Sequence, residues 1–188
     1  MLKADAVSIL AQGRGGAISV ATMQAAAPWK DMQQATQLHV DASGCMGSAS
    51  SLGIGLALGQ PGRKVIVLDG DGSLLMQLGS LVTAGSLAPK NYFHFVFANG
   101  AYESSGNQTI PGHGVFDFCG LAKSAGYRAQ FSFEDAEQFR AALPSILNEV
   151  GPVFIELIIA KDMATPRWPG VPMSGQVKSL QAQLTGRT

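Results

Sequence analysis

Charge is scarce in this chain and balanced where it occurs. Lys and Arg number 13 against 13 Asp and Glu, so the formal net charge is zero and only 14% of residues are charged. That argues against an electrostatic nucleic-acid binder. Cysteine is nearly missing: Cys45 and Cys119 form no CxxC pair and no metal-ligand spacing, and each reads as a structural thiol. No apolar run approaches the about 18 residues of a membrane span. The first ten residues, MLKADAVSIL, are too short and acidic for a secretory signal. These absences point to the cytoplasm. Neither GxxxxGK[ST] nor GxGxxG follows any strand, against a plain nucleotide-binding domain. There is no internal repeat and no low-complexity tract.

What is present is an apolar chain of 188 residues, 46% hydrophobic, enough for a substantial core in one domain over 1–188. Leu2, Ala6, Ile9 and Leu10 have helical spacing, and Gly13-Arg14-Gly15-Gly16 ends that helix. Ala17 to Thr22 reads as a strand, Pro28 to Thr36 as a short helix, and Leu38 to Asp41 as a strand. His39, alone on that strand, reads as structural before functional. Ser48 to Gln60 carries Gly53, Gly55 and Gly59 among leucines, predicting a helix packed tightly on neighbouring backbone. Val65 to Leu68 and Tyr92 to Ala98 are continuous apolar runs, as expected of strands covered on both faces. Ser73 to Leu87 joins them as one crossover helix. Phe116 to Gly126 is predicted helical and Tyr127 to Phe131 a strand. Ser132-Phe133-Glu134-Asp135 is a capping pattern, opening a helix in which Pro144 predicts a kink or a second segment. Val153 to Ala160 is a last strand, and 161–188 is a tail closed by a surface helix over Ser174 to Leu184. Strand and helix alternating in short units predict an α/β, three-layer fold, with a mainly parallel central sheet and helices on both faces.

The chemistry concentrates where two strands end. Val65 to Leu68 runs into Asp69-Gly70-Asp71-Gly72-Ser73, where glycine permits a tight turn and close approach to a ligand. Exposed amides at a following helix start suit a phosphate. Asp71 is a hard oxygen ligand of the type magnesium takes beside phosphate oxygens. Asn99-Gly100 brings a neutral oxygen ligand to the same sheet edge, where open α/β sheets bind ligands. GDGS alone reads as well as a simple turn, and Met46 alone as a gap-filling core residue.

Together these residues resemble the diphosphate-binding domain of thiamine diphosphate enzymes, over roughly Leu38 to Ala160. The signature of that family is GDG, a helix and strand, then a pair of asparagines. Here the closing pair is Ala98-Asn99, 28 residues after Asp71, and Ala98 replaces a residue that is not a ligand. The resemblance implies that magnesium is held by Asp71, Asn99 and the carbonyl of Ala101. Gly70, Gly72, Ser73 and Tyr102 would line the cofactor. Gly44-Cys45-Met46-Gly47-Ser48-Ala49 resembles the segment of the same family that supplies an apolar wedge. Met46 would then bend the cofactor so that its aminopyrimidine amine meets the thiazolium carbon, with Gly44 and Gly47 beside it.

Gly100 to Gly114 has no hydrophobic period and reads as a loop able to cover the cofactor. Tyr102, Glu103, Ser104, Ser105, Asn107, Gln108 and His113 are candidates for substrate contact, His113 also as a proton donor. The other reading is a solvated loop leading to a helix cap at Asp117. The loop YESSGNQ and the segment GCMGSASSLGIGLAL are most similar to the sulfopyruvate decarboxylase beta subunit and phosphonopyruvate decarboxylase group, with Asn107 where glycine is common. That resemblance implies a subunit of a 2-oxoacid decarboxylase using thiamine diphosphate and Mg2+. It further implies a separate pyrimidine-binding alpha subunit, which a chain starting at Met1 favours over a fragment. A sulfonate or phosphonate substrate wants cationic contacts, and Arg14, Arg63, Lys90 and Arg128 have no place near the site from sequence. A carboligase, a 2-oxoacid ferredoxin oxidoreductase beta subunit and a non-catalytic cofactor-binding subunit share the same residues.

Overall fold

In the computed structural model, residues 1–32, 38–161 and 172–186 are described. Chain order begins α1 (Lys3–Gly13), β1 (Ile18–Ala21), α2 (Met23–Asp31), β2 (His39–Asp41) and α3 (Ala49–Gly59). It continues with β3 (Val65–Gly70), α4 (Asp71–Met76), α5 (Ser80–Leu87) and β4 (Tyr92–Ala98). A small hairpin of β5 (Ala101–Tyr102) and β6 (Gln108–Thr109) encloses a 3-10 turn, Glu103–Ser105. The last elements are α6 (Phe118–Ala125), β7 (Ala129–Phe133), α7 (Ala136–Ile146), β8 (Val153–Ile158) and α8 (Met173–Thr185).

Six strands form one parallel sheet in the order β2-β1-β3-β4-β8-β7. The expected three-layer α/β fold is therefore what the chain adopts. Alternation along each strand divides the core into two. Ile66, Leu68, Phe93, Phe95 and Phe97 face α1, α2 and α7, meeting Leu10, Trp29 and Phe139. Val65, Val67, Tyr92 and Val96 face α3, α5 and α6, meeting Ile54, Leu81 and Ala122. Each fully buried Leu or Phe contributes on the order of 1.5–3 kcal/mol, which is why runs read as featureless in sequence become the central strands.

Several boundaries differ from the expectations. The crossover is two helices, because Gln77 N–H bonds the Leu74 carbonyl (3.0 Å) and Ser80 N–H the Gln77 carbonyl (2.8 Å), turning the chain between them. Helix α2 begins at Met23, and Pro28 lies inside it rather than at its start. Burial of Ala25, Ala26 and Trp29 outweighs the backbone bond that proline forfeits. Residues 33–36 of the expected helix lie outside the described residues, as do Pro166 and Pro169 of the tail. Strand β7 starts two residues later than expected, since Gly126 at φ 102° and Tyr127 close the preceding helix. Helix α7 runs through Pro144 to Ile146 without a second segment, and Asp135 caps it by accepting from Gln138 N–H at 2.9 Å. The Gly100–Gly114 stretch is partly ordered as the β5–β6 hairpin.

Helix α8 lies against the edge strand β2. The Gln176 side chain accepts from Asp41 N–H (2.6 Å) and donates to the Asp41 carbonyl (3.1 Å), as a neighbouring strand would.

Candidate functional site

The chain leaves β1 toward β2 on one side and returns to β3 on the other, so a crevice opens at the carboxyl ends of β1 and β3. The cavity there is lined by Lys3, Thr22 and Met23 from one flank, Met46 from above α3, and Asp69 to Ser73 from the end of β3. Asn99, Ala101, Tyr102, Glu103 and Ser104 complete it from the end of β4. Three separate sequence motifs thus meet in one place.

Two hydrogen bonds tie them. Asp71 Oδ2 accepts from Gly100 N–H at 2.7 Å, joining the end of β3 to the end of β4. Ser73 Oγ accepts from Gly47 N–H at 3.0 Å, joining the Met46 loop to the same turn. Asp71 Oδ1 also accepts from Gly72 N–H (2.7 Å), and Asn99 Oδ1 from Ala101 N–H (2.8 Å). Asp71 Oδ2 and Asn99 Oδ1 therefore sit on the consecutive amides of Gly100 and Ala101.

Asp71 is 2% exposed, and its carboxyl is pushed above the usual carboxylate range by burial, with the amides of Gly100, Gly72 and Asn99 opposing the shift. Among the described residues no cationic side chain bonds it. A buried carboxylate and an amide oxygen held on neighbouring amides are oxygen donors of the kind that suit a hard divalent cation. The cation would relieve the desolvation that burial imposes.

Gly72 has a reason beyond the one the sequence suggested. A Cβ there would overlap the ring of Tyr102, so glycine at this cavity-lining position also makes room for that side chain. Gly47 is left-handed at φ 84° and a Cβ on it would press on Met76 and Gln77. Gly44 is exposed and does not line the cavity, although it belongs to the Met46 loop. His113 is not brought into the cavity either. It is exposed and packs against Gly100, whose φ of 72° and missing Cβ leave room for the imidazole. Asn107 adopts φ 58°, the left-handed region in which Asn is the best tolerated residue after Gly, so its replacement of glycine preserves the turn.

Sequence reasoning missed Lys3, Thr22 and Met23, which carry no motif. Met23 sits at φ 53°, an outlier for its residue type, directly at the cavity. It also missed the buried partner of Asp69. His94 Nε2 lies 3.2 Å from Asp69 Oδ2 and His94 Nδ1 lies 3.2 Å from Tyr127 OH. A signal existed: Val65, Val67 and Asp69 share one strand face, as do Tyr92, His94 and Val96 of the neighbouring strand.

Comparison with known proteins gives the family and the fold. The family described as thiamine pyrophosphate enzyme, C-terminal TPP binding domain, matches residues 17–157. The chain belongs to that family. Among relatives of this thiamine pyrophosphate domain, phosphonopyruvate decarboxylase of Streptomyces viridochromogenes is 42% identical over 121 residues, covering 64% of this chain and 30% of that protein. Sulfopyruvate decarboxylase subunit beta of Methanocaldococcus jannaschii is 45% identical over 106 residues, covering 56% of this chain and 55% of the subunit. Sulfopyruvate decarboxylase of Methanosarcina acetivorans is 32% identical over 183 residues, covering 93% of this chain and 44% of that protein. The chain thus spans about a third to just over half the length of these relatives. The solved thiamine diphosphate-dependent 4-hydroxybenzoylformate decarboxylase of Rhodococcus jostii RHA1 shares the fold, with a TM-score of 0.73 at 23% identity over 87% of this chain and 33% of that one. Among the described residues, no helix is long and apolar enough to cross a membrane.

Proposed function

We propose that this chain is the diphosphate-binding part of a thiamine diphosphate- and Mg2+-dependent 2-oxoacid decarboxylase of the sulfopyruvate or phosphonopyruvate type. The observation that carries the reading is the convergence of Asp71, Asn99 and the Met46 loop, tied by Asp71 to Gly100 and by Ser73 to Gly47. In this reading Asp71, Asn99 and the Ala101 carbonyl hold magnesium. Gly70, Gly72 and Ser73 border the diphosphate, and Met46 supports the bent cofactor with Gly44 and Gly47 setting its loop. Tyr102 closes the cavity over Gly72. When bound, thiamine diphosphate supplies the nucleophilic carbon and the electron sink that decarboxylation needs, while the protein positions and screens. His113, packed on Gly100 outside the cavity, is assigned to supporting the loop rather than to proton transfer.

A partner chain supplying the pyrimidine-binding domain is supported by relatives that are themselves named beta subunits. Free thiols at Cys45 and Cys119 fit a reducing, cytoplasmic setting. The test is calorimetric titration of thiamine diphosphate with Mg2+, on this chain and on its mixture with a candidate partner, alongside carbon dioxide release from each acid. Asp71→Ala is expected to abolish Mg2+-dependent binding, a loss of about a hundredfold or more for removing a charged ligand. Unchanged affinity in Asp71→Ala would remove the site assignment.

A further inference from the structure

The cavity that this reading fills with anions is lined by three carboxylates, Asp69, Asp71 and Glu103, and among the described residues by one cation, Lys3. Asp69 is answered by His94, and Asp71 is the proposed metal ligand. Glu103 and Lys3 answer each other: Lys3 Nζ lies 3.1 Å from Glu103 Oε2. Their side chains are only 4% and 11% exposed, so both charges have given up most of their hydration at the wall of this cavity. The pair joins the first turn of α1 to the 3-10 turn that follows Ala101 and Tyr102.

We propose that Lys3 is the oxyanion contact of this cavity, held in place and tempered by Glu103. The proposal rests on the thiamine diphosphate reading above. An ammonium has three donors on a flexible stem and can share them between Glu103 and an arriving phosphoryl, phosphonyl or sulfonyl oxygen. Glu103 pairs with the cation when no anion is present, and its carboxylate opposes the anion when one arrives. Removing either member of the pair therefore has opposite effects on anion affinity. A pair that merely fastened the loop to α1 would lose affinity whichever member was removed.

The oxyanion belongs either to the cofactor's diphosphate or to the second acidic group of the substrate, and the experiment separates the two. Wild type, Lys3→Met, Lys3→Arg, Glu103→Gln and the double variant are compared in the complete assembly. Thiamine diphosphate with Mg2+ is titrated calorimetrically, and KM is measured for sulfopyruvate, phosphonopyruvate and pyruvate. Lys3→Met is expected to weaken anion affinity about tenfold or more, Lys3→Arg to retain most of it, and Glu103→Gln to tighten it. Weaker cofactor binding at unchanged KM identifies the diphosphate. A higher KM for the two doubly acidic substrates, with pyruvate and cofactor unaffected, identifies the substrate's second anion. The proposal is overturned if Lys3→Met and Glu103→Gln both weaken binding, if neither moves it beyond about twofold, or if the double variant binds as tightly as Glu103→Gln alone. Should Lys3→Met fail to fold, the sign of the Glu103→Gln shift decides alone. A wild-type assembly that binds no thiamine diphosphate defeats the parent reading before any variant is made, and this one with it.

Discussion

Asp69 and Asp71 stand two residues apart, yet the end of the strand sends them to different partners. Asp69 still follows the pleat of β3 and meets His94 diagonally across to β4. Asp71 has left the strand and takes amides from the two turns, Gly72 and Gly100. His39 shows the same dependence on surroundings. Its Nδ1 lies 3.0 Å from Ser19 Oγ, its Nε2 is buried with no hydrogen-bond partner among the described residues, and burial first and the Arg14 charge second lower its pKa to about 4. An unfolded histidine titrates near its ordinary 6.5, so between those values the unfolded chain binds more protons. The stability held by neutral His39 is complete above about pH 6.5 and is lost as pH falls toward about 4, by at most about 3 kcal/mol. The raised carboxyls of Asp71 and Glu156 act with the opposite sign, losing stability as pH rises. Denaturant midpoints of wild type and His39→Gln therefore isolate the histidine: the wild type should fall more steeply between pH 7 and 4.5, and parallel curves would refute the assignment.

At the scale of elements, α3 tests what its glycines are for. A Cβ on Gly53 would overlap Val67 Cγ2 and come within 3.0 Å of Tyr92 Cε2, so this glycine lets the helix lie close on the sheet. Gly55 and Gly59 meet nothing within 4 Å, and the expectation that all three serve packing holds in this chain for Gly53 alone. Gly53→Ala should destabilise by about 1–3 kcal/mol through overpacking. Gly55→Ala should be neutral or stabilising by up to about 1 kcal/mol. Thermal melts of the two variants check both signs. The elements most legible in sequence were the central strands, because a run such as Val65 to Leu68 is apolar on both faces. Helix ends were less so. The break at Gln77 goes with the burial of both Leu74 and Leu81, one on each side of it, and the start of α2 with the burial of Trp29. Both are decided by tertiary contacts that no local pattern carries.

For the whole molecule, the candidate site was legible where residue type and order state the chemistry: Asp71, Asn99 and Met46 in sequence become neighbours in space. It was not legible where lysine, threonine or methionine without a motif is delivered by topology. Lys3 reaches the cavity because α1 packs beside α2 and α7, a fact about layers rather than about residues 1–10. The same layering accounts for the far edge of the sheet. There the amide of Gln176 occupies both backbone hydrogen-bonding groups of Asp41, imitating one rung of a seventh strand. An open rung of this kind is what another polypeptide uses to begin polymerising on a sheet. Gln176 thus acts as a chain terminator for the sheet. Gln176→Ala is expected to leave the core intact while light scattering at high concentration rises over hours, and a solution that stays as clear as wild type would show that β2 is too short to recruit a neighbour.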